Sequence, residues 1–518
     1  MNFAENQNQY ATVIEGMGKS VLPNGKTLSE FLNIEEIPFW DVFAAEMAWR
    51  HLTTAVAATT PFENAKILIK PYVLRIRALL NRISYARNSE NCPPNWPAAP
   101  VVLCLGFTPR MYRDILEPVV RHLTSESNCR VVVLSESRHP VVERGESANV
   151  TFQSIEQHWG TDIERQSCRL RQSVRLKEIE LFSSGTMKNL FPEANSKISV
   201  ALRKVLYLLF KAYIPHAVRH AAIARHVLRT HHPSLVLSPD VSDTRTRLYT
   251  LLAGSMSIPS MEVQFGLTGD EGVEWRFLAS DCVAVWGESS KAALMKQGVP
   301  EEKIIVTGSP RHDTLVRPSV FKIAATRADL GINGKRPLIL LASTYTDWTH
   351  THYANPEILR AMKRAIFNAA EQNPDAILVV KPHPVEIVKE THALAGRTNN
   401  IIFVDRDSDI RDLIVMCDAF VSFGSTATVD ALIAGKACIC PIFPGWPFGE
   451  SFRKAGVVFV PESPAQIEKI FSEIAKNGGL FPTLEIASAR HKFLADIACE
   501  ADGLAAERIK EHLLGMMR

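Results

Sequence analysis

The chain has 518 residues, which at roughly 100–200 residues per domain is enough for two or three domains. Lys and Arg outnumber Asp and Glu by only 58 to 55, a balance that excludes a chain built to coat nucleic acid. Hydrophobic residues at 46% with charged residues at 22% exclude wholesale disorder, and 30 Pro with 26 Gly in no repeating period exclude collagen-like material.

The nine cysteines are odd in number and scattered, several of them inside apolar runs such as VVLCLGF and GKACICP. That usage fits reduced, buried thiols in a cytoplasmic protein better than a disulfide framework. No paired Cys-x-x-Cys arrangement occurs, so no structural metal is expected. The N-terminus, MNFAENQNQYATVIEG, lacks the basic-then-apolar order of a secretion signal. No apolar run reaches about 18 residues, so no membrane span is expected.

In chain order, residues 25–87 read as helical, with Leu28, Phe31 and Leu32 on one face and a break at Pro38. Residues 88–100, NSENCPPNWPAAP, carry four prolines and read as a linker, because Pro disfavours helix at its own position and at the residue before it. From Val101 short apolar strands alternate with amphipathic helices. One series comprises 101–107, 130–136, 234–240, 260–266, 281–287 and 303–309; a second comprises 336–344, 376–384, 400–406, 419–425, 437–443 and 457–463. The strands are uniformly apolar, the pattern of parallel strands covered by helices on both faces. Two doubly wound α/β domains follow, expected at 96–325 and 326–482 and facing a cleft. A helical extension with its linker covers 1–95, and crossover helices cover 483–518.

Ligands of open parallel sheets bind beyond the carboxyl ends of the strands, so the polar residues closing each strand are the candidates. Lys381-Pro382-His383-Pro384 directly follows the strand AILVV. A cation and an imidazole fixed by prolines suit phosphate oxygens; a rigid turn is the structural alternative. Phe423-Gly424-Ser425-Thr426 lies between a strand and a helix. There Gly424 permits close backbone approach, and the Ser425 and Thr426 hydroxyls and N–H groups offer an anion site, which is compatible with simple capping. Ser309 and Arg311, in the turn Thr307–Asp313, border the expected cleft and are candidate phosphate contacts. Neither a G-x-G-x-x-G nor a Walker loop occurs in a strand–helix context.

Asp240 and Asp243 follow the strand SLVLSPD, Glu262 lies inside the strand SMEVQ, and Asp270, Glu271 and Glu274 lie in the loop after it. A strand-end carboxylate facing a phosphate-binding domain is placed to act as base or nucleophile, although a solvated loop carboxylate or helix cap explains any one of them. Two stretches are basic: 63–87, with six cations against one Glu, and 196–230, which has no acidic residue. Either could lie on an anionic membrane surface or be a solvated face packed on the core. Nucleic acid is not expected as a partner.

Taken together, MEVQFGLTGDEG, the stretch from Asp281 to Leu315, VVKPHP and SFGSTATVDALIAGKACI resemble a GT-B glycosyltransferase of bacterial surface-polysaccharide assembly, across residues 234–460. The nearest likeness is to transferases of CMP-activated 2-keto sugar acids, namely Kdo, sialic and other nonulosonic acids. CDP-glycerol-type transferases and UDP-sugar 2-epimerases share parts of the pattern. The resemblance implies that His383 and Pro384 match an HP motif and that Ser425 and Thr426 match a Ser/Thr pair gripping the CMP phosphate. It implies that Asp270-Glu271-Gly272 matches an acidic catalytic motif, with Asp240 a rival nucleophile. Where many relatives carry a His before the Gly, this chain has Phe265, so that role would be absent or moved to a carboxylate.

The expectation is therefore a GT-B transferase moving a keto sugar acid from a CMP donor to a glycan or glycolipid acceptor, with no metal and no cofactor. Asp240, Asp270 and Glu271 are the catalytic candidates; Lys381, His383, Pro384, Gly424, Ser425, Thr426, Ser309 and Arg311 are the phosphate-binding ones. The expected location is the cytoplasm, peripheral at the inner membrane. An epimerase, a CDP-glycerol-type transferase and a non-catalytic glycan-binding scaffold are the alternatives.

Overall fold

The structure is a computed structural model that describes residues 3–57, 69, 72–73, 99–126, 128–138, 140–141, 149–191, 196–268, 272–316, 318, 320–332, 335–345, 354–396, 398–499 and 501–517. The chain divides into two compact units. Unit 1 comprises Met1–Val285, Ser289–Thr307 and Ala506–Arg518; unit 2 comprises Trp286–Glu288 and Gly308–Ala505.

Unit 1 is built on seven parallel strands: β1 Val101–Leu105, β2 Arg130–Ser135, β3 Val150–Ser154, β4 Leu235–Ser238, β5 Ser260–Val263, β6 Cys282–Val285 and β7 Ile304–Val306. Their spatial order is β3-β2-β1-β4-β5-β6-β7. The chain reverses its direction of winding between β1 and β4, the place where ligands of open parallel sheets bind. The inner strands are buried along their whole length, as their continuous Val, Leu and Ile demand. The edge strand β3, VTFQS, has no apolar run, is half-buried, and is absent from the expected series.

Residues 3–57 share the core of unit 1. Thr27 caps the short helix Leu28–Phe31 in a reciprocal capping box with Glu30. The chain breaks at Ile37–Pro38 and re-enters helix at Phe39–Glu46, whose Phe39, Trp40 and Phe43 are buried.

Unit 2 has five parallel strands: β8 Leu338–Ala342, β9 Ile377–Lys381, β10 Ile401–Phe403, β11 Ala419–Val421 and β12 Ala437–Ile439. They are ordered β10-β9-β8-β11-β12, with the winding reversal between β8 and β11. The stretch 457–463 contributes only one bridge, Ile439 to Phe459. Helix Leu484–Ile497 belongs to unit 2 and lies so close to Gly287 that a Cβ there would meet the Asp496 carbonyl oxygen at 2.3 Å. Helix Ala505–Met516 packs Ala506, Ile509 and Leu513 into unit 1 beside Cys282 and Ala284.

The eight described cysteines are unpaired thiols, six of them buried. Among the described residues no helix is long and apolar enough to cross a membrane. The basic stretch 63–87 lies outside the described residues but for Ile69, Tyr72 and Val73. The stretch 196–230 is not a free basic face. Leu202, Val205, Leu206, Leu209 and Phe210 are core, Lys211 pairs with Glu178, Arg219 lies over Trp159, and Arg225 donates to the Glu35 carbonyl. The cations snorkel from or pair within the unit, the arrangement of the packed-face alternative.

Candidate phosphate-binding site of unit 2

The turn Lys381–Pro384 leaves the carboxyl end of β9. Lys381, 6% exposed, is turned back into the fold and donates to the carbonyls of Pro382 (3.0 Å) and Arg406. Its charge therefore tethers the loop after β10. His383 is half-exposed and held from three sides. Its N–H donates to Glu386 Oε2 at 2.9 Å, its Nδ1 accepts weakly from Val385 N–H at 3.4 Å, and its ring lies 4.8 Å from the Tyr345 ring. With Nδ1 as acceptor, the neutral ring carries its proton on Nε2 and presents a directional donor. Pro384 closes the turn, half-buried.

The sequence reading missed what orients this turn. Glu386, buried, accepts from Ser343 Oγ (2.8 Å) at the end of β8, from Thr391 Oγ1 and from Lys363 Nζ. Lys363 comes from helix Pro356–Gln372 and also reaches the Thr344 carbonyl at 2.6 Å. Burial disfavours both charges. For Glu386 the Lys363 charge and hydrogen bonds outweigh it and hold the carboxyl below its usual range; for Lys363 burial wins and the amine is lowered. The only signal in the sequence was a Glu two residues after the turn, with nothing to indicate its partner.

The second loop, Ser422–Thr426, leaves β11. The sheet order inserts β8 between it and the His383 turn, so the two loops flank the winding reversal. Gly424 has φ +90°, and a Cβ on it would lie 2.4 Å from Gly449 N, so only glycine fits. The Trp446 indole fixes the loop by donating to the Phe423 carbonyl at 3.2 Å. Ser422 Oγ and Thr428 Oγ1 share a 2.6 Å bond. The Ser425 hydroxyl is buried and has no hydrogen-bond partner among the described residues, an acceptor-and-donor group left unsatisfied where the loop turns into helix Ala427–Ile433.

Ser309 and Arg311 are placed differently. Both are buried, and the Ser309 hydroxyl has no hydrogen-bond partner among the described residues. The Arg311 guanidinium grips both oxygens of Asp430, with Nε at 2.9 Å from each, and His312 Nε2 lies 3.5 Å from the same carboxylate. Burial pushes the Asp430 carboxyl up, but Arg311 and His312 more than compensate and hold it far below the usual range. Arg311 thus packs helix Pro310–Val316 against helix Ala427–Ile433 and is engaged by a buried carboxylate, which corrects its expected role as a phosphate contact.

In unit 1, Asp240 is half-buried just past β4 and Glu262 is buried on β5; Asp270 and Glu271 lie outside the described residues. Asp243 caps helix Thr244–Ser255 and is bound side-on by Arg245, which also reaches Glu136 at 3.1 Å. Among the described residues no group of three or more His, Cys, Asp and Glu could hold a metal ion.

Residues 286–433 match the family model described as CDP-Glycerol:Poly(glycerophosphate) glycerophosphotransferase. No curated protein matches the chain. Among solved structures, the wall teichoic acid polymerase TagF is similar at 12% identity and a TM-score of 0.51, covering 87% of this chain and 98% of its own. The same polymerase soaked with CDPG gives 12% identity and 0.50 over the same shares. A UDP-GlcNAc 2-epimerase from Neisseria meningitidis bound to UDP-GlcNAc shows 18% identity and 0.49, over 80% of this chain and 99% of its own. The fold is that of the GT-B class, two parallel-sheet α/β units. The family match overturns the expected donor: it points to CDP-glycerol and not to a CMP-activated keto sugar acid, and nothing in these likenesses supports Kdo or nonulosonic acid transfer.

Proposed function

We propose that the chain is a CDP-alditol-dependent phosphotransferase that moves glycerol phosphate from CDP-glycerol to a hydroxyl of a surface-glycan acceptor. The observation that carries this reading is that the matched family segment, 286–433, contains both loops at the winding reversal of unit 2. In the reaction, the acceptor oxygen bonds to the glycerol-bearing phosphorus. The bond from that phosphorus to the bridging oxygen breaks, and CMP departs with the electron pair. Little covalent chemistry is asked of the protein; positioning and stabilisation of charge on the departing phosphate dominate.

His383 is the donor suited to that developing charge, because Glu386 holds its backbone N–H and the Tyr345 ring lies against its imidazole. Ser425 supplies a buried hydroxyl with no hydrogen-bond partner among the described residues, a cost that a phosphate oxygen would repay. Lys381 and Arg311 act one step back, holding the loops.

Thermal shift tests the reading, because a ligand that binds only the native state raises its melting temperature. CDP and CDP-glycerol raise it, CMP less so, and UDP and UDP-GlcNAc leave it where it was. A shift with UDP-GlcNAc and none with CDP-glycerol would refute the assignment.

A further inference from the structure

Helix Thr161–Leu181 of unit 1 has two opposite sides. One is core: Ile163, Ser167, Leu170, Val174 and Leu181 are buried, and the helix lies against helix Ile214–His231. At about 3.6 residues per turn, Arg165, Cys168, Arg169, Arg175, Leu176 and Ile179 fall within about 120° on the other side, and all six are exposed.

That outer side is not the one a helix turns only to water. Leu176 is 68% exposed and Ile179, one turn further on, is 64% exposed. Surface aliphatics scattered singly are ordinary, but these two adjoin, and a third stands near them. Val21, 63% exposed, lies in the 19–26 loop, which Asn24 joins to the end of the helix by donating from Nδ2 to Glu180 Oε1 at 2.9 Å.

The acids bordering this side are already engaged. Asp162 Oδ1 lies 2.8 Å from Arg165, and the second oxygen of Glu180 pairs with Lys177 at 3.4 Å. Arg169 and Arg175 have no acidic partner among the described residues, and Lys19 and Lys26 are exposed in the loop that carries Val21. The result is an excess of positive charge around a small apolar centre.

The size of that centre selects the occupant. A stable protein interface buries roughly 800 Å² on each partner around an apolar core, and three aliphatic side chains make no such core. An anionic bilayer requires less. Guanidinium groups meet lipid phosphates in paired hydrogen bonds, and a few aliphatic side chains enter the boundary between headgroups and acyl chains when a helix lies in the interface plane.

We propose that the outer side of helix Thr161–Leu181, with the 19–26 loop, is a docking surface for an anionic phospholipid membrane. Arg169 and Arg175 meet lipid phosphates, and Val21, Leu176 and Ile179 enter the headgroup region. This surface is neither of the two basic stretches that a count of charges singles out. What marks it is apolar and cationic side chains exposed together on one side of one helix, and it stands whichever donor unit 2 binds.

Two measurements on the full chain test this. The first is sedimentation with vesicles of phosphatidylcholine alone or with about one-third phosphatidylglycerol. The chain should bind the anionic vesicles, leave the neutral ones free, and be released as salt is raised. Arg169→Glu/Arg175→Glu and Leu176→Ser/Ile179→Ser change only exposed positions; with unchanged far-UV spectra, each should bind at least about tenfold more weakly. The second reads the face itself through Cys168, which is exposed on it. Anionic vesicles should slow alkylation of Cys168 by a charged maleimide several-fold, as followed by peptide mass. A wild type that ignores anionic vesicles or binds neutral ones equally well would overturn the proposal. So would vesicle binding that leaves Cys168 alkylated at the free rate and is matched by both variants. Alkylation slowed by raising the protein's own concentration, and not by vesicles, would place a second copy on this face and overturn it as well.

Discussion

His383 illustrates how little of a binding residue is the residue itself. Its backbone is pinned by Glu386, its Nδ1 accepts from a neighbouring N–H, and its ring leans on Tyr345, with Nε2 the atom proposed to meet a ligand. Replacing it with Ala removes one preorganised donor to the departing phosphate. We expect kcat to fall about 10²–10³-fold with the melting temperature little changed, the usual loss when one such donor is deleted. An unchanged kcat at saturating donor would remove His383 from the chemistry. Gly424 is constrained in the opposite way, by what it lacks. Gly424→Ala would place a methyl 2.4 Å from Gly449 N at φ +90°, and it should lower both the melting temperature and donor affinity, because the Ser425 hydroxyl moves with the loop.

Between elements of unit 2, two buried ion pairs cross from one element to another. Lys363 and Glu386 tie a helix to the turn after β9, and Arg311 and Asp430 tie two helices to each other. Arg311→Met takes the guanidinium from a buried carboxylate and leaves it only His312, at an expected cost of about 3–5 kcal/mol in denaturant unfolding of the unit. The pH dependence has a definite sign. Asp430 is lowered in the fold from an unfolded value of about 3.9, so its contribution is complete above about pH 4 and disappears as the pH falls through the folded value. Arg311→Met should flatten that acid dependence, and a variant as stable as the wild type would show the pair to be idle.

These ties were the part the sequence hid. The strands were legible because parallel strands covered on both faces are continuous runs of Val, Leu and Ile, and the His383 and Ser425 loops were legible because prolines and glycine punctuate strand ends. β3 was not, since an edge strand needs no apolar run and VTFQS has none. The partnership of Lys363 with Glu386 was not, since it spans 23 residues from a helix to a loop and no local pattern encodes it. For residues 196–230 two readings stayed open, a membrane-lying face and a face packed on the core, because a count of charges cannot tell which face of a helix packs. The donor was misjudged because the HP and Ser/Thr residues, read as phosphate contacts, are silent on what such a phosphate would carry.

Taken as a whole, the molecule places neutral histidines where acid will find them. His158 contacts His226 and His231 edge-on, with centroids 6.1 and 5.5 Å apart, and its Nε2 donates to Gln153 Oε1 at 3.0 Å. Burial, then its histidine neighbours, pushes His158 down to about 3, and burial, then His216, does the same to His220. Both are therefore neutral in the fold and charged in the unfolded chain below about pH 6.5, so stability is full above that pH and declines from there toward pH 3. Urea unfolding of unit 1 should show that decline, and His158→Met should make it shallower; a pH-independent midpoint between 6.5 and 4 would contradict the burial of these rings as neutral groups.

The central claim is that the loops around His383 and Ser425 serve the transfer of a phosphoryl-linked alditol from a cytidine diphosphate carrier. CDP-glycerol labelled with phosphorus-32 at the glycerol-bearing phosphate follows that group directly. The account predicts that the label leaves the nucleotide, appears on the acceptor, and is matched by equimolar unlabelled CMP, with both lost in His383→Ala. Label remaining on the nucleotide as CDP while glycerol moves, or no consumption of CDP-glycerol by a folded wild type in the presence of acceptor, would contradict it.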